Sequence, residues 1–204
     1  MMINDISVVR RSYNGDIKVL DGLSIDFKER VNIIFGEPGT GKSTLMDVMS
    51  GLEKPETGKM MLDGNMVYLM QVPERQFIYP TCRTEILGNG SEEGELQYYL
   101  EETGLPGDIA EMSPWHLSKG EKKRLSIARI IKQNDSEIPI DILLLDDPFT
   151  DMDRSGKEMI VKKLIENTGF NVIIATANMA DIAYLEHKNI LFGLYNLSGG
   201  ADND

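Results

Sequence analysis

Two kinds of apolar pattern divide this chain. Short, largely apolar segments stand near both ends: residues 31–35 (VNIIF), 142–145 (ILLL, an unbroken run) and 171–176 (NVIIAT). Runs of this length suit strands buried on both faces of a parallel sheet. Residues 2–9 and 17–27 alternate more loosely, which predicts β structure with one face toward water. Residues 58–71 predict a hairpin or strand pair turning at Asp63-Gly64. Helical spacing marks 43–52, which stops at a glycine, and then 93–105, 119–133 and 154–167. A last strand is expected within 189–197, and disorder in the tail 198–204.

From about 72 to 116 the character changes, with frequent Pro, Gly and Glu. Strands and helices thus alternate at both ends and a helical insertion, taken as 72–125, separates them. The expectation is one α/β domain over 1–204. Its core sheet is mostly parallel, with an antiparallel β portion at the N-terminal side.

Composition narrows the function. At 204 residues the chain can build one full core and a modest insertion. A formal net charge of −12 argues against a general nucleic-acid surface, since phosphate binding is driven by Lys and Arg clusters. Cys82 is the single cysteine, so no internal disulfide can form. Asp5, Arg10 and Arg11 interrupt what would be a signal peptide's apolar core. No apolar run approaches the roughly 20 residues a bilayer span needs, so any membrane role is expected to be indirect.

The chemistry sits where strands end. Gly36-Glu37-Pro38-Gly39-Thr40-Gly41-Lys42-Ser43 fits G-x-x-x-x-G-K-[ST], between a strand and a helix as that motif requires. Glycines let backbone N–H groups turn inward around phosphate oxygens, and the helix start adds its positive dipole end. The cofactor-binding set is therefore Gly36 through Thr44. Within it Lys42 reaches the β- and γ-phosphates of ATP and Ser43 ligates Mg²⁺. Asp146 ends the apolar run at 142–145, where a strand-end carboxylate holds the Mg²⁺ shell. Two adjacent carboxylates repel unless a cation or a reacting water lies there. Asp147 is accordingly read as the catalytic group that orients the attacking water.

The stretch LSKGE at 117–121, followed by KKRLSIAR, closely resembles the LSGGQ signature of ATP-binding-cassette (ABC) ATPases. Tyr13 stands where that family places an aromatic against adenine, and Gln71 at its Q-loop. TDMD at 150–153 resembles its D-loop, and 51–64 its strand–turn segment. The resemblance covers nearly the whole chain and implies an ABC-type P-loop NTPase. It implies ATP and Mg²⁺ as cofactors, with Gln71 as a metal-shell and catalytic residue beside Ser43, Asp146 and Asp147. It also implies head-to-tail packing of two subunits, in which Ser118 and Gly120 contact the γ-phosphate held by the partner. That partner is a second ABC ATPase subunit, in a homo- or heterodimer.

The chain departs from the family in four places. Asp147 replaces the usual Glu, drawing the carboxylate back by about one bond length, and misplacement on the order of 1 Å can cost about 100-fold in rate. Ala177 stands where the family has its switch histidine. Lys119 replaces a signature glycine, and 132–141 carries extra length expected as a surface loop. Weak hydrolysis is the expectation. Trp115 and His116 are read as packing residues, His187 as a surface residue.

Three functions follow. The first is the nucleotide-binding subunit of an ABC transporter, docked on a membrane-embedded subunit and therefore cytoplasmic and peripheral at the inner face of the membrane. QVPERQF at 71–77 is similar to the Q-loop region of transporter ATPases that energise vitamin and metal uptake. The second is a regulatory ABC ATPase with little or no hydrolysis. The third is a soluble DNA-repair-type ABC ATPase. Glu121 and the 132–141 loop favour it, while the acidic charge and the lack of coiled-coil arms oppose it. No nucleic-acid partner is expected.

Overall fold

The computed structural model describes residues 1–11, 13, 15–88, 93–166 and 168–197, so the expectation for the tail 198–204 lies outside the described residues. The chain forms two compact units. The first comprises Met1–Tyr68, Asp141–Pro148 and the chain from Phe170, the second Leu69–Ile140 and Phe149–Gly169.

The first unit carries a three-stranded and a five-stranded sheet. In the smaller, β1 (Met2–Arg10) lies between β2 (Ile17–Asp26) and β4 (Thr57–Met61), antiparallel to both. Its inward residues Ile3, Ile6 and Val8 skip a beat, because Asn4 and Asp5 both face outward and Asp5 takes a positive φ of 55°. This is a β-bulge, and Gly58 is its counterpart on β4: a Cβ there would meet Asp5 O at 2.5 Å.

The larger sheet has the order β5-β6-β7-β3-β8. Its strands are β5 (Met66–Leu69), β6 (Ile142–Asp146), β7 (Asn171–Thr176), β3 (Val31–Phe35) and β8 (Gly193–Asn196). The neighbours β6/β7, β7/β3 and β3/β8 are parallel. The three apolar runs form the sheet's centre, and every residue of β6 is buried. Helix α1 (Lys42–Met49) presents Leu45, Met46 and Val48 to a core shared with Ile34, Leu144, Ile173 and Ala175.

The second unit is helical, with α2 (Cys82–Leu87), α3 (Glu93–Thr103), α4 (Lys119–Asn134) and α5 (Arg154–Ile160). Helices α2 and α3 pack on α4, whose Leu125, Ile127 and Ala128 are fully buried. Three of these helices open on a side-chain cap: α2 on Thr81, α4 on Ser118 and α5 on Asp153. Among the described residues no helix is long and apolar enough to cross a membrane.

Several expectations are corrected. Residues 58–71 hold two strands and a turn but no hairpin, since β4 and β5 join different sheets. The cause is Asp141, whose Oδ2 accepts from Asn65 N at 2.6 Å while Asn65 O accepts from Asp141 N at 2.9 Å. The turn is thereby tied to the head of β6 instead of closing on itself. Within 189–197 only 193–196 is a strand, and the 154–167 helix turns π-helical over Val161–Glu166. Helix α2 has only six residues, too short for a periodic signal. Trp115 packs edge-on against Phe77 as expected but is 45% exposed, whereas His116 is exposed. His187 is exposed and closes α6 (Met179–His187), and the loop after α4 is exposed over 135–139.

Candidate nucleotide-binding site

In the first unit β3 runs straight into the glycine loop, and α1 leaves it. Gly39 and Gly41 take positive φ values of 86° and 93°. Gly41 also packs against β2, where a Cβ would lie 2.8 Å from Leu20 Cδ2 and 2.9 Å from Val19 O. At Gly36 a Cβ would strike Thr40 Oγ1 at 2.6 Å. Backbone curvature and close approach therefore both demand glycine. Lys42 is buried, and its Nζ donates to Gly36 O at 2.7 Å and Glu37 O at 2.8 Å. The ammonium is thus held inside the loop's own ring. Glu37, Pro38, Gly39 and Ser43 are exposed, with Thr40 and Thr44 half-buried.

Asp146 closes β6 at 1% exposure. Burial pushes its carboxyl above the usual range, and the neighbouring Asp147 and Asp47 charges push the same way, while the Ser43 and Tyr68 hydroxyls pull it down. Its Oδ1 is buried without a hydrogen-bond partner. An orphaned carboxylate oxygen beside a serine hydroxyl fits a hard cation such as Mg²⁺. Among the described residues no group of three His, Cys, Asp or Glu could hold a metal alone, so phosphate oxygens or water would complete the shell.

A raised carboxyl pKa means that the folded state binds the proton more tightly than the unfolded chain. Stability is therefore lost as pH rises through the folded pKa, and the buried charge is a cost at neutral pH. Asp146→Asn should raise the Tm of the nucleotide-free protein by about 2–4 °C, the shift that about 1 kcal/mol makes in a chain of this size. Thermal unfolding without nucleotide checks it, and a lower Tm would refute the burial argument.

Asp147 follows in the left-handed region at φ 44°, its N–H donating to Ala175 O at 2.9 Å. Across β7, Thr176 Oγ1 donates to the buried Asp181 at 3.0 Å and accepts from Asn178 N at 3.1 Å. Ala177 lies between these partners, half-buried. Tyr13 is fully exposed. One feature escaped sequence reasoning. Strand β2 lines a cavity of about 400 Å³ beside the loop, bounded by Lys18, Val19, Leu23, Gly39, Thr40 and Leu197. No motif marks those β2 residues; the glycine at 41, packed on Val19 and Leu20, is the only trace.

In the second unit Ser118 caps α4 through a capping box. Its Oγ donates to Glu121 Oε2 at 2.6 Å, and its N–H to the same oxygen at 2.9 Å. Those two donors hold the Glu121 carboxyl below the usual range. Gly120 allows a close approach to the 150–153 turn, since a Cβ would lie 3.2 Å from Asp151 O. Lys123 Nζ donates to Thr150 O at 2.9 Å. Asp153 accepts from Gly156 N at 2.8 Å and from Arg124 Nη2 at 2.7 Å. The exposed Gln71 lines a cavity of about 420 Å³ together with Glu74, Lys119, Lys123, Thr150 and Asp151. This unit therefore gathers Gln71, the first turn of α4 and the TDMD segment around one space.

The comparisons agree with this picture. The family model described as ABC transporter matches residues 20–150. The energy-coupling factor transporter ATP-binding protein EcfA2 of Caldanaerobacter subterraneus subsp. tengcongensis is 33% identical over 194 residues, covering 82% of this chain and 66% of the relative. EcfA2 of Acetivibrio thermocellus is also 33% identical, over 192 residues, covering 81% of this chain and 66% of the relative. The chain thus spans just under two thirds of the length of these two relatives. The dimeric structure of MJ0796, a bacterial ABC transporter cassette, superposes with a TM-score of 0.75 at 22% identity, over 100% of this chain and 98% of that one. A dimeric post-hydrolysis cassette bound to ADP and Pi gives a TM-score of 0.72 at 23% identity, covering 89% and 90%. These likenesses show the fold of the ABC cassette, a P-loop NTPase. With a family model matching well over half of its length, the chain belongs to the ABC transporter family, a family of ATPases.

Proposed function

We infer that this chain is an ATP-binding and slowly hydrolysing subunit that energises an ABC transporter through ATP-driven dimerisation. One observation carries the reading. The glycine loop holds a buried Lys42 at its centre, and on the same unit a buried Asp146 has an oxygen without a partner. A cationic ring beside an orphaned carboxylate suits a nucleoside triphosphate with its divalent cation. The residues proposed for phosphate are Gly36 through Thr44, with Ser43 and Asp146 for Mg²⁺. When bound, that ion supplies charge to neutralise the phosphate oxygens. Asp147 orients the attacking water. Gln71 is proposed to assist the metal shell and the water, and Ser118 and Gly120 to contact a nucleotide bound by a second ATPase subunit. The groove along β2 is proposed as the wall for the nucleoside, with Tyr13 stacking on the base.

The relatives' names place them in energy-coupling factor transporters. We extend that setting to this chain, with a membrane-embedded subunit as partner and a cytoplasmic, peripheral place at the membrane's inner face. The helical portion within 72–125 is proposed as the inserted subdomain of a single ABC ATPase domain. A second reading, a regulatory subunit with little turnover, is favoured by Asp147 and Ala177 alone.

The direct test is light scattering of the purified chain with Mg²⁺-ATP and without it. A doubling of mass on adding ATP is expected. If the chain stays monomeric at high micromolar concentration while calorimetry shows ATP bound, the dimerisation mechanism is wrong.

A further inference from the structure

Tyr68, on β5 of the first unit, lies half-buried against the core with its hydroxyl among carboxylates. Its Oη donates to Asp146 Oδ2 at 3.4 Å and is also hydrogen-bonded to Asp47. Asp47 lies on α1, four residues after Ser43 and so on the same helix face. A phenol has one proton, and here two carboxylates compete for it.

The consequence is an asymmetric Asp146. One oxygen, Oδ2, faces a donor, and the other, Oδ1, is buried and unpartnered. A carboxylate free to rotate would spread both oxygens over the available donors. The Tyr68 hydroxyl on Oδ2, beside the Ser43 hydroxyl that also acts on this carboxyl, fixes which oxygen is left over. We propose that Tyr68 is a positioning residue that turns the Asp146 carboxylate so that Oδ1 is presented to a divalent cation, with Asp47 anchoring the phenol from α1. This rests on the reading of Asp146 as a Mg²⁺-shell residue. Tyr68 touches neither nucleotide nor reacting atoms in this role. It acts through Asp146, as outer-shell partners of ligating carboxylates do elsewhere.

Tyr68→Phe removes the hydroxyl and keeps the ring that packs on the core. The measurement is ATP affinity by calorimetry across a Mg²⁺ titration, repeated in EDTA, with Mn²⁺ binding in the presence of ATP read by electron paramagnetic resonance. The Mg²⁺ concentration at half effect should rise about 10–100-fold, the usual loss for an outer-shell partner. ATP affinity in EDTA should stay at the wild-type value, which a merely structural defect would not leave intact. Asp146→Asn serves as the control. If Asp146→Asn loses the Mg²⁺ dependence and Tyr68→Phe keeps it, the positioning role is overturned and the reading of the site stands. If Asp146→Asn itself titrates like the wild type, the Mg²⁺ assignment fails, and this proposal fails with it. A fall in EDTA affinity for Tyr68→Phe equal to its fall with Mg²⁺ would also overturn it.

Discussion

Lys42→Ala should weaken ATP binding by about 100-fold. The ammonium is buried in the loop and donates to Gly36 O and Glu37 O. Two opposing effects set the magnitude. Hydrogen bonds to charged groups contribute about 1.5–3 kcal/mol each, which for two phosphate contacts gives up to about 6 kcal/mol. Binding, however, must share or replace the two carbonyl contacts already present, and the net gain is the difference between them. About 3 kcal/mol remains, and at 1.4 kcal/mol per factor of ten that is about 100-fold. Calorimetry on wild type and variant measures it directly. Unchanged affinity would mean that the loop does not hold the phosphates.

This result would also separate binding from coupling. The loop, β3 and Asp146 belong to the first unit, whereas Gln71, the α4 cap and the TDMD segment belong to the second. A defect at Lys42 acts on the first alone. A variant that binds ATP like the wild type but no longer dimerises would instead place its fault in the second unit, where Gly120 closely approaches Asp151.

What could be read in advance was whatever consecutive residues decide. The segments 31–35 and 171–176 coincide with β3 and β7, because a strand buried on both faces needs a mostly apolar stretch. The phosphate loop was legible for the same reason: each glycine answers to its own backbone or a nearby neighbour. Features that depend on distant partners were not. The turn at Asp63-Gly64 looks like a hairpin until Asp141, at a sequence separation of 76 from Asn65, binds it to β6. Nothing in the order of residues 18–23 shows that they border the loop. Tyr68 reads as one more strand aromatic, and only the fold brings Asp47 and Asp146 to its hydroxyl. Trp115 packs edge-on against the buried Phe77 while staying 45% exposed, a half-way position that depends on a partner 38 residues away.

The last expectation joins the two departures from the family. Asp147→Glu with Ala177→His should raise kcat at least tenfold, on the order of 1.4 kcal/mol of barrier. The backbone explains why aspartate is comfortable where it stands. At φ 44° a short polar side chain is tolerated better than a long one, and glutamate there should cost about 1 kcal/mol of stability. Greater activity is thus expected together with a lower Tm. Histidine at 177 meets less resistance. The turn there is held by Thr176, Asn178 and Asp181, none of which depends on the side chain at 177. Either change alone should help little, since a base and a γ-phosphate contact that act as a unit are non-additive. Steady-state ATPase assays of the wild type, both single variants and the double variant decide the matter. A wild-type rate already at roughly 1–10 per second, with the double variant no faster, would show that Asp147 suffices or that another group is the base. Glu37, exposed on the loop, and Gln71 would then be the next residues to replace.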